Sequence, residues 1–140
     1  MRGVFCDGSG WNDSSCAICV ATSRKNKEVK VFYEPYSARV LEYMAILKAC
    51  ERYSQGNVIH TDAKVIFNEI ISKIEPLKEE EKVLWNRICY LIERKKLNLR
   101  WIPREHNLAG IILESRLNKL KRYKYSATHM KRRHYARKKR

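Results

Sequence analysis

Val4-Phe5-Cys6-Asp7-Gly8-Ser9 is a short apolar run that ends in an acid and a tight polar turn. We predict a buried first strand over residues 1–6, followed by a loop that contains Gly8 and Asp13. Ligands collect at the carboxyl edge of the strands in open α/β sheets, and Asp7 would lie at that edge. Asp-Gly is also a common turn signal, so a functional role for Asp7 is indicated only if other acids lie close to it.

The rest of the chain predicts an α/β fold built outward from this strand. Short loops join the first three strands and favour an antiparallel meander, whereas strand–helix–strand connections place the fourth and fifth strands parallel to the first. We therefore expect a mixed five-stranded sheet flanked by helices, in the order βββαβααβα. The predicted elements are strands at 15–22 and 29–33, a helix from Ser37 to about Tyr53, a strand at 58–61, helices at 65–74 and 78–95, a strand at 97–102, and a last helix capped by Asn107.

Apolar residues at helical spacing mark the helix faces that we expect to be buried. Pro76 is expected to end the second helix, because proline cannot continue a helical hydrogen-bond ladder. The predicted apolar positions are Val65, Ile66, Ile70 and Ile74 in the second helix, Val83, Leu84, Ile88, Leu91 and Ile92 in the third, and Ile111, Ile112 and Leu117 in the last.

Composition favours one folded domain with an unusual distribution of charge. The 140 residues are 44% hydrophobic, which excludes a disordered chain, and no run has the length of a membrane span or the pattern of a signal peptide. We therefore expect an intracellular, cytoplasmic protein without a membrane partner.

Of the 30 Lys and Arg residues, eleven lie in residues 119–140, which contain no acid, so most of the net charge of +15 lies in a C-terminal tail.

The five cysteines are an odd number without the spacing of a disulfide framework. Cys16 and Cys19 are spaced like a metal or redox pair, but they lie in an apolar run. Positions three apart point to opposite faces of a strand, and no second Cys or His pair lies nearby. Both are therefore expected to be core residues, and zinc is not expected.

Three acids are predicted to meet at one edge of the sheet. Asp7 follows the first strand, Asp62 follows the fourth, and Glu42 lies one turn into the intervening helix. Hard carboxylate ligands of this kind suit Mg²⁺ or Mn²⁺, and two such ions can promote phosphodiester cleavage. Two simpler roles stay open at this point: Glu42 as a surface helix acid, and Asp62 as the cap of the helix that follows it.

Over residues 1–117, the chain resembles ribonuclease H type 1 and the wider ribonuclease H-like superfamily. The resemblance rests on four motifs that occur in the family's order. They are Phe5-Cys6-Asp7-Gly8-Ser9, Leu41-Glu42-Tyr43-Met44-Ala45-Ile46, Ile59-His60-Thr61-Asp62-Ala63, and Trp101-Ile102-Pro103-Arg104-Glu105-His106-Asn107-Leu108-Ala109.

The resemblance implies an endonuclease that cleaves the RNA strand of RNA–DNA hybrids with two Mg²⁺ ions. Asp7 would bridge both ions, while Glu42 and Asp62 would hold one of them and bind the substrate side. The domain would comprise residues 1–118 and, like some members of the family, would lack a basic handle between its second and third helices. A DNA-strand-transfer or junction-cleaving relative would use the same acids, but the chain is short for the extra domains such proteins need.

The family's fourth carboxylate would stand at the position of Gly110, and glycine offers no ligand. Glu114, one helical turn later, is one candidate for a substitute ligand, and a water molecule is the other. The enzyme could instead have weakened or Mn²⁺-dependent activity, or the fold could have lost catalysis. His106 could assist proton transfer, although a structural role at the helix entrance is favoured.

The basic tail, residues 119–140, is predicted to bind nucleic acid, because Lys and Arg neutralise phosphates and aromatic rings stack on bases. A solvated, disordered tail or a localisation signal is the alternative. The tail also supports a rival function, in which a catalytically silent domain associates with structured RNA or a ribonucleoprotein particle. The basic residues are Lys119, Lys121, Arg122, Lys124, Lys131, Arg132, Arg133, Arg137, Lys138, Lys139 and Arg140.

Overall fold

A single five-stranded sheet with helices on both faces makes up residues 3–116, the part of the chain that this computed structural model describes. The predicted tail at 119–140, the domain boundary after residue 118, and Leu117 lie outside the described residues. The predicted order of three strands, helix, strand, two helices, strand and helix is confirmed.

The sheet combines an antiparallel meander with two parallel strands. Its strands lie in the order β3-β2-β1-β4-β5; β1 pairs with β2 and β2 with β3 in antiparallel fashion, whereas β1–β4 and β4–β5 are parallel. This topology places the ends of β1 and β4 side by side, as the sequence predicted. The strands are β1 (Gly3–Ser9), β2 (Cys16–Ala21), β3 (Lys27–Phe32), β4 (Val58–Thr61) and β5 (Asn98–Trp101).

In the described residues, four α-helices flank the sheet, and two of them begin at the predicted caps. Ser37 Oγ accepts a hydrogen bond from Val40 N at 3.1 Å, and Asn107 Oδ1 accepts one from Ala109 N at 3.2 Å. Within the described residues, none of the helices is both long and apolar enough to cross a membrane. The helices are α1 (Ala38–Arg52), α2 (Lys64–Ile71), α3 (Glu79–Lys95) and α4 (residues 108–116), with a short 3-10 helix (Arg104–His106) before α4.

The core has one part on each face of the sheet. On one face, α1 and α3 pack over residues such as Val4 and Ile59, and on the other face α4 packs over Ala17 and Ala21. Cys16 belongs to the first part and Cys19 to the second, so their prediction as core residues on opposite strand faces is confirmed.

Helix α1 is tied to its neighbours near both ends. Near its start, Arg39 binds Glu69 at 2.6 Å and Glu81 at 2.7 Å, which links α1 to α2 and α3. At its end, Lys95 of α3 donates hydrogen bonds from Nζ to the carbonyl oxygens of Cys50 at 2.8 Å and Tyr53 at 3.2 Å. A cation beside free helix carbonyls satisfies them and complements the helix dipole. These ties fix the helix that carries Glu42.

The predicted end of the second helix is wrong, because α2 stops at Ile71, well before Pro76. Lys73 adopts a left-handed φ of 56°, and Ile74 N donates to Glu69 O at 2.9 Å, which is the hydrogen bond of a Schellman cap. Glycine usually occupies that left-handed position, so the end of α2 has no obvious sequence signal here.

Three residues that were predicted to be buried are exposed. The exposed fractions are 62% for Val65, 55% for Ile74 and 60% for Val83.

The first strand is longer than predicted. Strand β1 continues through Asp7 and Gly8 to Ser9, which pair with residues of β2, so Asp7 lies inside a strand and not in the loop after it. The parallel pairing of β1 with β4 ends at Phe5 and His60. Asp7 therefore extends beyond the last residue of β1 that is paired with β4, and still lies at the edge where Asp62 emerges.

Candidate metal centre

Asp7, Glu42 and Asp62 meet at the carboxyl edge of β1 and β4. Their ligand oxygens lie within 4.8 Å of one another, and they form the one group of metal-binding type among the described residues. They line a cleft of about 360 Å³ together with Gly8, Ser9, Gly10, Arg104, Gly110, Leu113 and Glu114.

Glu42 reaches the sheet because α1 packs unusually close to β1 at Gly8. A Cβ atom on Gly8 would lie 2.8 Å from the Cβ of Leu41 and 2.9 Å from its carbonyl carbon, so only glycine fits there without a shift. This approach lets Gly8 N donate a hydrogen bond to Glu42 Oε1 at 3.1 Å. The simpler role of Glu42 as a solvated helix acid is therefore excluded.

Asp62 is held by Asn107, a contact that the sequence did not reveal. Asn107 Nδ2 donates to Asp62 Oδ2 and to Cys6 O, both at 2.9 Å, while its Oδ1 caps α4. The amide is fully buried and joins β1, the end of β4 and the start of α4. Asp62 makes no capping bond, since the N-cap of α2 is Ala63 and lacks a side-chain hydrogen bond. The alternative role of Asp62 as a helix cap is wrong.

Burial and the neighbouring carboxylates disfavour the charged forms of Asp7 and Glu42. Burial is the main cause that raises the pKa of Asp7 to about 6 and the pKa of Glu42 to about 9, and the charge of Asp7 raises the latter further. A proton on Glu42 would bridge it to Asp7. When Glu42 is ionised, its buried Oε2 atom has no hydrogen-bond partner among the described residues.

These features fit a divalent cation. A buried carboxylate oxygen without a donor needs a positive partner, and three convergent carboxylates repel one another until one is supplied. Mg²⁺ and similar hard cations take oxygen ligands of this type. The ligand set therefore fits a metal ion that would replace the proton shared by Asp7 and Glu42.

Gly110 lies on the first turn of α4 and faces the acids. A Cβ atom there would be 2.9 Å from Asp7 Oδ2 and 3.7 Å from Asp62 Oδ2. A carboxylate at this position would enter the group directly, and a side chain of any kind would crowd Asp7. Glycine leaves this side of the cleft open.

The two auxiliary candidates differ in position. Glu114 lines the cleft, but its carboxylate does not belong to the close group of three acids. His106 is exposed in the 3-10 helix and does not line the cleft. Arg104, two residues earlier, does line it, and its charge lowers the pKa of Asp7 against the larger effect of burial. The sequence predictions missed Arg104, although it belongs to the Trp101–Ala109 motif.

Comparison with solved structures finds ribonuclease H domains. The N-terminal ribonuclease H domain of a Mycobacterium tuberculosis protein, solved as a fusion with maltose-binding protein, superposes with a TM-score of 0.63 at 12% identity, over 84% of this chain and 96% of that one. Ribonuclease H1 of Halobacterium salinarum gives 0.65 at 13% identity, over 79% and 92%. LC11 ribonuclease H1, solved in complex with an RNA/DNA hybrid, gives 0.59 at 20% identity, over 76% and 88%.

Sequence comparison adds no relative: no protein-family model matches the chain, and no curated protein matches it. Structural likeness at 12–20% identity establishes the fold. The described residues have the ribonuclease H-like fold, with a mixed sheet in the order β3-β2-β1-β4-β5 and four flanking helices. The predicted fold class is confirmed.

Proposed function

We propose that the protein is a ribonuclease H-type, metal-dependent endonuclease that cleaves the RNA strand of RNA–DNA hybrids. The observation that carries the proposal is the convergence of Asp7, Glu42 and Asp62, with one buried oxygen of Glu42 that has no hydrogen-bond partner within residues 3–116. The fold supports it, and so does the RNA/DNA hybrid in the similar LC11 structure. Residues 1–118 are proposed as the catalytic domain and residues 119–140 as a nucleic-acid-binding segment.

Asp7, Glu42 and Asp62 would hold Mg²⁺ or Mn²⁺. When bound, such ions supply an activated water and stabilise the leaving oxygen. The chain itself orients the ligands: the amide of Gly8 holds Glu42, and Asn107 holds Asp62. Arg104, at the rim of the same cleft, is placed to bind a substrate phosphate through its guanidinium.

The open space beside Gly110 would weaken this activity or make it depend on Mn²⁺, because a three-acid site has one fewer ligand for the ions. Glu114 lies in the same cleft, one helical turn after Gly110. It acts, in this proposal, as an auxiliary group and not as a member of the metal-binding trio. His106 is assigned a structural role only, since it lies outside the cleft lining.

The test is cleavage of a labelled RNA–DNA hybrid in Mg²⁺ and then in Mn²⁺. Asp7→Asn should lower kcat by at least about 100-fold, because it removes several kcal/mol of charge stabilisation at the metal site. Asp13→Asn is the matched control: Asp13 is exposed, loses the same charge, and has a left-handed φ of 75° that asparagine tolerates. No cleavage with either metal, at protein concentrations equal to the substrate, would refute the proposal.

Gly110 also favours a second candidate function, a catalytically silent domain that binds structured RNA or a ribonucleoprotein particle. Gly110→Asp separates the two candidates, because it directs a fourth carboxylate at Asp7 and Asp62. If the protein is a weakened enzyme, the wild type cleaves the hybrid and Gly110→Asp cleaves it about tenfold faster or more, which corresponds to about 1.4 kcal/mol of transition-state stabilisation. Gly110→Ala is the control, since it adds bulk without a ligand. Cleavage by Gly110→Asp alone would favour the silent domain.

A further inference from the structure

A second concave surface lies on the other side of α4 from the acids. It is a groove of about 390 Å³ between α4, the turn that joins β2 to β3, and β3 itself. Half of its lining residues are cations, and no lining residue in the described part of the chain is acidic. We call this surface the basic groove; it is lined by Arg24, Lys27, Val29, Ile112, Ser115 and Arg116.

Helix α4 separates the acid cleft from the basic groove. Gly110 and Glu114 face the cleft, whereas Ser115 and Arg116 face the groove. Across the sheet, Asp7 pairs with Cys19 and Cys19 pairs with Val29, so Val29 lies two strand spacings from the acids. Neighbouring strands are about 4.8 Å apart, which puts the floor of the groove about 10 Å from Asp7.

The cations of the groove are available to a partner. Arg24, Lys27 and Arg116 are exposed and take no part in the ion pairs formed within residues 3–116. Glu28, the acid next to Lys27 in sequence, faces the opposite side of the sheet, where it binds Lys48 at 3.4 Å and Arg52 at 2.8 Å. Glu114, two residues before Arg116, lines the acid cleft. The positive charge of the groove is therefore not neutralised by these residues.

We propose that the basic groove binds the phosphodiester backbone of the hybrid whose RNA strand occupies the acid cleft. This inference rests on the proposed function and extends it to a second contact on the same duplex. Arg and Lys side chains bind backbone phosphates, and the hydroxyl of Ser115 can donate to the same oxygens. A distance of about 10 Å corresponds to about three base-pair rises of 3.4 Å, so one duplex can reach both sites. The chain also enters its basic segment at Lys119, three residues after Arg116.

The test measures binding of a fluorescent 18-base-pair RNA–DNA hybrid to the full chain in EDTA, which prevents cleavage, over a range of salt concentrations. The groove variant is Arg24→Gln with Lys27→Gln and Arg116→Gln. The control variant, Lys78→Gln with Arg87→Gln and Arg94→Gln, removes the same charge from exposed positions on or beside α3. Helix α3 packs on α1, on the sheet face opposite α4.

Each lost phosphate contact should reduce the slope of log K against log salt by about 0.9, so the groove variant should lose about 2 to 3 from this slope. Its Kd at low salt should rise about tenfold or more, while the control variant changes the slope by less than about 1. The control variant should also keep the wild-type kcat for cleavage at saturating hybrid. Single substitutions, each expected to lower the slope by about 0.9, provide the same test if the triple variant folds poorly.

Equal slopes for the groove and control variants would overturn the groove proposal and leave the endonuclease proposal intact. Groove-dependent binding without cleavage in Mg²⁺ or Mn²⁺ would instead refute the endonuclease function and retain the groove as a nucleic-acid contact. An unchanged slope for the hybrid, together with weaker binding of a polyglutamate peptide, would overturn the proposal in favour of an acidic protein partner.

Discussion

At the scale of single residues, Glu42 carries the clearest functional signal. Its Oε1 atom accepts the amide hydrogen of Gly8, and its buried Oε2 atom has no hydrogen-bond partner among residues 3–116. Leaving a buried polar group unsatisfied costs about 1–3 kcal/mol, and more for a charged group. The protein can relieve this cost with a proton on the carboxyl group or with a cation beside it. Proton and metal ion should therefore compete for the same site.

This competition predicts an unusual dependence of stability on pH. The pKa values of Asp7 and Glu42 are raised in the folded protein, so the proton is bound more tightly there than in the unfolded chain. The resulting stabilisation is complete below about pH 4, the unfolded pKa, and is lost as pH rises through the raised values. In EDTA, the free energy of unfolding should fall by at least about 1.4 kcal/mol between pH 5 and pH 9, the equivalent of one pKa unit.

Thermal unfolding at pH 5, 7 and 9 measures this effect. Tm should fall with pH in EDTA and fall much less with Mg²⁺ present, because the ion replaces the proton. Glu42→Gln keeps the shape of the side chain without its charge and should flatten the profile in EDTA. A wild-type Tm that rises over this pH range, or a profile that Glu42→Gln leaves unchanged, would contradict the assignment of the titrating pair.

The three acids of the candidate metal centre could be predicted because their positions follow from the order of the strands and of the helix between them. Asp7 and Asp62 are placed by the ends of two parallel strands, which hydrophobic patterning reveals. Asn107 was predicted as a helix cap but not as the partner of Asp62. The capping bond of its Oδ1 atom joins residues two positions apart, whereas the bond from its Nδ2 atom to Asp62 joins residues 45 positions apart. Which distant residue an amide binds depends on packing that a linear pattern does not contain.

At the scale of elements, the contact between α1 and β1 determines where Glu42 lies. Gly8→Ala should destabilise the protein by about 1–3 kcal/mol, because the new methyl group would overlap the backbone of Leu41 and push α1 outward. The same shift should lengthen the hydrogen bond from Gly8 N to Glu42. We therefore expect lower stability in urea and weaker Mg²⁺ or Mn²⁺ binding by titration.

Gly10→Ala is the control for this prediction. Gly10 lines the same cleft, but a Cβ atom there would lie within 4 Å of no atom in the described part of the chain. Its stability and metal affinity should remain close to those of the wild type. If Gly8→Ala matched Gly10→Ala in both measurements, the close approach of helix and strand would not be what positions Glu42.

The elements themselves were predicted well, and their ends less so. Helix α1 carries a clear cap at Ser37, and α3 was predicted almost to the residue because apolar residues recur at helical spacing along it. Helix α2 was predicted too long, since a lysine in the left-handed conformation at position 73 ends it. Local sequence rules assign that role to glycine, so a stop made by Lys73 depends on the contacts around it.

At the scale of the whole molecule, charge is divided between two parts of the chain. Residues 119–140 hold eleven cations and no acid, and the first 118 residues hold 19 basic and 15 acidic residues. Deleting residues 119–140 should therefore remove most of the salt-dependent affinity for a hybrid. The slope of log K against log salt should become shallower by up to about 10, the value for eleven phosphate contacts.

The deletion should leave kcat at saturating hybrid unchanged, because the three acids lie within residues 3–116. Fluorescence anisotropy and single-turnover cleavage measure the two quantities separately. A variant with both the affinity and the salt slope of the full chain would show that the basic segment does not bind the hybrid. Residues 119–140 would then be expected to bind a partner other than the hybrid.

The hydrogen bond between Asn107 and Cys6 has a consequence for the order in which the protein forms. Its two residues are 101 positions apart, and Asn107 also holds Asp62 and caps α4. During synthesis the chain grows by about 5–20 residues per second, so Asp7, Glu42 and Asp62 emerge several seconds before Asn107 does. Until α4 packs on the sheet, Asp62 and the carbonyl oxygen of Cys6 in β1 both lack the hydrogen bond from Asn107. A ribosome-bound nascent chain would thus carry all three acids for several seconds before Asn107 is present to hold Asp62.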